Sequence, residues 1–223
     1  MEPRSGGAAA LLALSLPEPA TRLVRALEPT GPALVLGSTQ PDAVVDAAAC
    51  AEAGVEVARR RSGGGAVLAE PGRLVWVDVV VPAGDPLWTV DVGRAFHWLG
   101  EAWCRALARL GVTGLEVHRG PPVRTRWSEL VCFAGVGSGE VVTAGGAKVV
   151  GMSQRRRREA ALFQCGVPLA WDPAAMVRLL ALPAADRHRA AAELSGVVHP
   201  VPRATPEQVV AALLAELGAT RSG

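Results

Sequence analysis

The sequence predicts an α+β fold, with a central mixed or antiparallel sheet flanked by helices. Three observations lead there. Residues 74–81 (Leu-Val-Trp-Val-Asp-Val-Val-Val) form a β-branched run continuous enough for a central strand. Residues 89–110 carry Val92, Ala95, Phe96, Leu99, Trp103, Ala106, Leu107 and Leu110 at helical spacing, and Gly111 stops them. From Leu115 onward the chain turns to short strands, with Gly145-Gly146 as a hairpin signal.

In chain order, the first thirty residues are Ala/Leu-rich, and residues 22–27 read as a short helix. Residues 32–37 read as a buried strand ended by Gly37. Residues 42–53 suit a helix with Gly54 as its stop, and residues 55–58 a short strand. That strand leads into Ala58-Arg59-Arg60-Arg61-Ser62-Gly63-Gly64-Gly65-Ala66-Val67, placed at a sheet end where ligands commonly sit. Further strands are expected over 115–117, 130–133, 140–143, 148–150 and 160–169. Asp172-Pro173 opens a helix through Leu180, and Thr205-Pro206-Glu207-Gln208 is a capping box for a last helix to Leu217. The expectation is a single domain over 1–223. Its core spans about 32–182, followed by a helical segment 183–223.

Composition narrows the function. Of 223 residues half are hydrophobic and a fifth charged, enough for a sizeable core. A net charge of +2 speaks against a surface built for nucleic acid, and the run Arg155–Arg158 near Arg124, Arg126 and Trp127 is only a remote hint of one. Cys50, Cys104, Cys132 and Cys165 have no metal-ligand spacing, so no metal site is expected. The apolar run 8–16 is too short for a leader and no stretch suits a membrane span, which points to a cytoplasmic protein with reduced thiols. His97 reads as a helix residue rather than a ligand, and Cys165 as packing.

Two features carry the chemistry. The glycines of the 63–65 loop let backbone N–H groups approach an anion, and the arginines beside them add charge. Downstream, Lys148 is the only lysine against 22 arginines. In a chain with so strong a preference for arginine, a retained ε-ammonium suggests a compact point charge in a tight pocket, which a planar guanidinium does not imitate.

The pair ARRRSGGGAV and Gly146-Ala147-Lys148-Val149-Val150-Gly151-Met152-Ser153-Gln154-Arg155 resembles the lipoate-protein ligase and octanoyltransferase family, over about residues 35–180. The resemblance implies a biotin/lipoate-ligase-like catalytic domain. It also implies transfer of a lipoyl or octanoyl group to a lysine of a carrier: a lipoyl domain of 2-oxoacid dehydrogenases or the glycine cleavage H protein. Lys148 would hold the acyl carbonyl and the adenylate phosphate. Arg60, Ser62, Gly63, Gly64, Gly65, Ala66, Val67, Gly151 and Ser153 would bind substrate or nucleotide, with an apolar wall from Val67, Leu68, Trp76 and Val77. A ligase would use ATP with magnesium through an acyl-adenylate. The alternative is an ATP-independent transferase that takes octanoate from acyl carrier protein through a Cys132 thioester, as Cys132-Phe133 followed by Glu140 suggests. The resemblance implies a single catalytic domain with no full accessory domain of the kind long ligases carry, and short ligase domains of this kind can need a separate accessory subunit. Two family histidines are absent, where the chain has Ala69-Glu70 and Gln164-Cys165.

Overall fold

The structure, a computed structural model, describes residues 1–219. Its strands are β1 (Glu2–Gly6), β2 (Leu23–Pro29), β3 (Ala33–Leu36), β4 (Glu56–Arg59), β5 (Val67–Ala69), β6 (Leu74–Pro82), β7 (Leu115–Val117), β8 (Val141–Thr143), β9 (Lys148–Arg156) and β10 (Ala160–Pro168). The helices are α1 (Ala8–Leu12), α2 (Ala47–Glu52), α3 (His97–Arg109), α4 (Pro173–Arg178), α5 (Ala184–Leu194) and α6 (Pro206–Ala219). Seven strands form one sheet in the order β1-β2-β6-β10-β9-β8-β7, and β4-β3-β5 form a second. Only the β1–β2 and β3–β4 pairs are parallel, so the sheets are mixed and mainly antiparallel, as expected.

The period-2 alternation of β6 sets the layers. Val75, Val77, Val79 and Val81 join Leu99, Trp103 and Leu107 of α3 and Val209, Val210 and Leu213 of α6 in one core. On the other face Trp76 packs with Ala33 and Val35 of β3, Ala58 of β4, Ala69 of β5 and Leu11 of α1. The alternation of β3 continues the stack: Leu34 and Leu36 turn outward to Met176, Val177 and Leu194 of α4 and α5. The result is helix, large sheet, small sheet, helix. The space between the two sheets becomes the site.

Four expectations are corrected by tertiary context. Residues 22–27 are not a helix; β2 runs antiparallel to β6, and Arg25 sits opposite Asp78. The third helix starts late, because the Asp91 carboxylate accepts from the Gly93 and Arg94 amides and opens a 3-10 turn at Arg94–Phe96. Residues 42–53 split into a 3-10 turn, Asp42–Val44, and α2, because the Asp46 side chain caps Ala49. Residues 130–133 make no strand. Val131 forms a lone bridge to Ala66, and Cys132–Ala134 turns as a 3-10 helix. The hairpin at Gly146 (φ +82°) and the Thr205–Gln208 capping box form as read, with Gln208 N–H on Thr205 Oγ1 at 3.3 Å and Thr205 N–H on Gln208 Oε1 at 2.9 Å.

Strands β1 and β2 lie in the large sheet although they precede residue 32, and α6 packs on α3 over the same sheet. Leu213, fully buried there, is a test of how integral the last helix is. Leu213→Ala is expected to cost about 2–5 kcal/mol, read as a lowered urea midpoint for the single global transition.

Candidate active site

Lys148 opens β9 and is 2% exposed. Its backbone is pinned by the segment after α5, with Lys148 N–H donating to Val197 O (2.8 Å) and His199 N–H to Lys148 O (2.9 Å). Its ammonium contacts Glu140 Oε2 at 2.7 Å and donates to the Cys132 carbonyl at 2.9 Å. An ammonium has three donors, so one remains for a ligand.

Glu140 is equally fixed. Oε1 accepts from the Met152 amide (2.9 Å), and Oε2 accepts from the Gly137 amide (2.6 Å) as well as from Lys148. Gly139 (φ +83°) precedes it, and a Cβ there would lie 2.2 Å from Phe96 Cβ, so the 3-10 turn that leads into α3 packs directly on the turn that aims Glu140.

The arginine–glycine loop divides its tasks. Arg59 Nη1 donates to the Gly37 and Gln40 carbonyls. Arg60 is 6% exposed, and its guanidinium donates to Val35 O (3.2 Å), Gly63 O (2.7 Å) and Gly65 O (2.8 Å). Burial lowers its pKa, while charge at Cys132 and Glu140 works in the other direction. Arg60 is therefore a clamp on carbonyls. It leaves the Gly63, Gly64 and Gly65 amides without an acceptor among the described residues. The glycines serve different ends. Gly64 adopts φ +95°, and a Cβ on Gly65 would fall 2.7 Å from the Val131 and Cys132 backbone. Ala66 is wholly buried and stitches the loop to that backbone, donating to Leu130 O (2.8 Å) and accepting from Cys132 N–H (2.9 Å).

Two spaces meet here. An apolar tunnel between the sheets is lined by Val35, Val67, Trp76, Phe133, Gly151 and Gly166, among others. Gly151 and Gly166 are cross-strand partners, and the Phe133 ring tip rests where their side chains would project, 3.2 Å and 3.7 Å from the Cβ positions. A wider cleft is bordered by Gln40, Gly63–Gly65, Arg124, Glu140 and Lys148. Cys132, Met152 and Ser153 border both spaces.

A polar row crosses the apolar floor. Ser62 Oγ lies 2.9 Å from Ser153 Oγ and donates to Gln164 Oε1 (3.3 Å), and Gln164 Nε2 donates to Asp78 Oδ1 (3.4 Å). Arg25, Asp78, Gln164 and Ser153 face one another strand by strand across β2, β6, β10 and β9. Burial raises the Asp78 pKa from 3.8 to about 7, against the pull of Gln164, Trp76 and Arg25.

The predicted residues Lys148, Cys132, Arg60, Ser62, Gly63, Gly64, Gly65, Val67, Gly151 and Ser153 thus converge, with Ala66 behind the loop. Val77 is no part of the wall, because the strand alternation turns it to α3, and Leu68 borders a separate small pocket beside Trp171. Cys165 is buried, its thiol pushed up to about 12 by burial, which fits packing. Sequence reading missed Asp78 and Gln164. The carboxylate inside an otherwise apolar strand was the available signal. None of the four histidines borders tunnel or cleft, and among the described residues no cluster of His, Cys, Asp and Glu suits a metal.

The layered fold and two-compartment site define a lipoyl-ligase-type catalytic domain. The chain belongs to the lipoyl protein ligase A/B catalytic domain family, which matches residues 9–218. A bipartite lipoate protein ligase from Thermoplasma acidophilum, described with its E2 lipoyl domain, superposes with a TM-score of 0.73 at 20% identity, covering 99% of this chain and 84% of that one. A lipoate-protein ligase A bound with ATP superposes at 0.69 with 20% identity, over 99% and 86% of the two chains. A T. acidophilum protein with bound lipoic acid gives 0.71 at 20% identity over 99% and 83%. A search of curated protein sequences finds no match.

Asp78 supplies a pH prediction. Between pH 3.8 and about 7 the unfolded chain loses this proton while the folded chain keeps it, so folding stability falls as pH rises through that window. The loss amounts to about 4 kcal/mol at most. Asp78→Asn is expected to raise the melting temperature relative to the parent at pH 8 and much less at pH 5. An equal shift at both pH values would remove Asp78 as the cause.

Proposed function

We propose that the chain is the catalytic unit of an ATP-dependent lipoate-protein ligase. It would join lipoate or octanoate to the lysine of a lipoyl domain through an acyl-adenylate. The observation that carries this reading is the meeting of an apolar tunnel and a wider cleft at Cys132, Met152 and Ser153, where the buried Lys148 borders the cleft and donates to the Cys132 carbonyl. The tunnel suits an acyl chain with its carboxyl at the junction, and the cleft suits a nucleotide. The free donor of Lys148 and the uncommitted amides of Gly63–Gly65 would then flank the acyl carboxylate and the α-phosphate. The carboxylate oxygen attacks the α-phosphorus and pyrophosphate leaves. The acceptor lysine's neutral amine next attacks the acyl carbon, and AMP leaves with the bonding pair while the amine gives up its proton to solvent. Donors already aimed at the developing oxyanion stabilise it without reorganisation.

Several points support the ligase over the thioester transferase. The Cys132 amide is held by Ala66, and its carbonyl by Lys148. No histidine borders its thiol. The relatives described with lipoic acid and with ATP support the same substrates. Among the described residues both oxygens of Glu140 are engaged and no carboxylate cluster stands beside it, so the nucleotide phosphates would supply most ligands of a magnesium ion and we derive no step through the metal. The unit acts as one catalytic domain. The H protein as acceptor, acyl carrier protein as donor and a separate accessory subunit are finer possibilities that acylation assays distinguish. No helix among the described residues is long and apolar enough to cross a membrane, in keeping with a cytoplasmic site of action.

Two variants test the reading. Lys148→Ala is expected to slow acylation of a lipoyl domain by about 100- to 1000-fold, the loss typical of one preorganised donor. Cys132→Ser is expected to keep ATP-dependent acylation within about threefold, since no bond of its side chain is used. A thioester on Cys132 seen by mass spectrometry after incubation with octanoyl carrier protein, without ATP, would establish the transferase instead.

A further inference from the structure

The run Arg155–Arg158 has no role in the cleft, yet the pleat of β9 sorts it. Arg156 turns to one face, where its guanidinium lies 4.0 Å over the Trp88 ring and donates to the Thr89 and Val90 carbonyls. Arg155 shares the opposite face with Ser153, which touches Ser62 of the glycine loop, and Arg157 follows at the hairpin turn. Arg61, beside Ser62, joins them: burial first, then the charges of Arg157 and Arg61, lower the pKa of Arg155.

This crowding is uncompensated. Arg22, Arg25, Arg59, Arg105, Arg109, Arg119, Arg187 and Arg189 each pair with a carboxylate. Arg61, Arg155 and Arg157 pair with none among the described residues. Within the arginine–glycine loop the contrast is sharpest, since Arg59 and Arg60 are committed to backbone carbonyls and Arg61 is exposed and free. Three like charges held together without a counterion favour an external polyanion.

We propose that Arg61, Arg155 and Arg157 are the docking surface for an acidic face of the carrier domain that receives the acyl group; this rests on the ligase reading above. Distance separates a protein partner from the nucleotide. Seven residues of extended strand set Arg155 about 23 Å from Lys148, so Arg155 and Arg157 lie beyond a phosphate held at that ammonium, while Arg61 adjoins the glycine loop and is left unaltered in the test. A carrier domain of about 100 residues has a radius of gyration of about 13 Å. Seated on the arginines, it still reaches the junction with its acceptor lysine. Charge pairing of this kind acts on encounter and on salt dependence rather than on the chemical step.

The test compares two reactions of one enzyme. Arg155→Glu/Arg157→Glu is expected to raise the KM for a lipoyl domain roughly tenfold or more. It should also flatten the salt dependence of that KM between about 50 and 300 mM NaCl. Lipoate-dependent exchange of pyrophosphate into ATP, which needs no carrier, is expected to stay unchanged. Arg157→Glu alone, at an exposed turn, keeps the test open if the double variant folds poorly. An unchanged KM and salt dependence would overturn the docking surface, and so would a parallel fall in exchange, which would give the arginines to the nucleotide. If the parent shows no exchange or acylation, the ligase reading fails instead. Calorimetric binding of the lipoyl domain to parent and variant then decides the docking surface by itself.

Discussion

The site depends on the buried pair Lys148–Glu140. Two charges removed from water are costly unless their remaining valences are met. Here Glu140 also holds the Met152 and Gly137 amides, and Lys148 holds the Cys132 carbonyl. The pair therefore ties β9, the turn before β8 and the Cys132 turn into one rigid corner. A lysine so held keeps one donor in a fixed direction, where a surface lysine samples many rotamers. Arg60 does the corresponding work across the cleft. It holds two glycine carbonyls of the loop that borders the cleft, and the amides of that loop keep no acceptor among the described residues.

The two-sheet stack explains why the corner opens on a tunnel. Between packed sheets, side chains ordinarily interdigitate to fill the layer. Gly151 and Gly166 oppose one another and remove that filling at one level, and Phe133 covers the gap from the Cys132 turn. The polar row crosses the same floor, so a hydrogen-bonded chain from the buried acid Asp78 through Gln164 and Ser62 to Ser153 runs beside an otherwise apolar channel. The hydroxyl contact between Ser62 and Ser153 joins that floor to the glycine loop, and so connects the tunnel wall to the anion-binding side.

Much of this was legible locally. The central strand, the long helix, the Gly145-Gly146 hairpin and the capped helices at Asp172 and Thr205 follow from short-range pattern, turn chemistry and caps. The glycine loop and the lone lysine stood out because their residue types are hard to replace. Residues 22–27 were misread because six residues of mixed apolar pattern carry too little period to separate helix from strand. Pairing with β6 decided the matter. Val77 was misassigned beside Trp76 for want of one fact: which face of β6 meets the helices.

The sequence by itself determined the alternation of β6, the turn at Gly146, the caps and the two motifs that mark the family, because each is settled by residues a few positions apart. Only the tertiary structure decided that Arg60 clamps backbone while Arg61 stays free, that Glu140 takes Lys148 as its partner, and that Asp78 sits behind Gln164 in a raised-pKa environment. Those outcomes depend on burial and on contacts across strands far apart in the chain. Neither is encoded in spacing until the sheets close over one another.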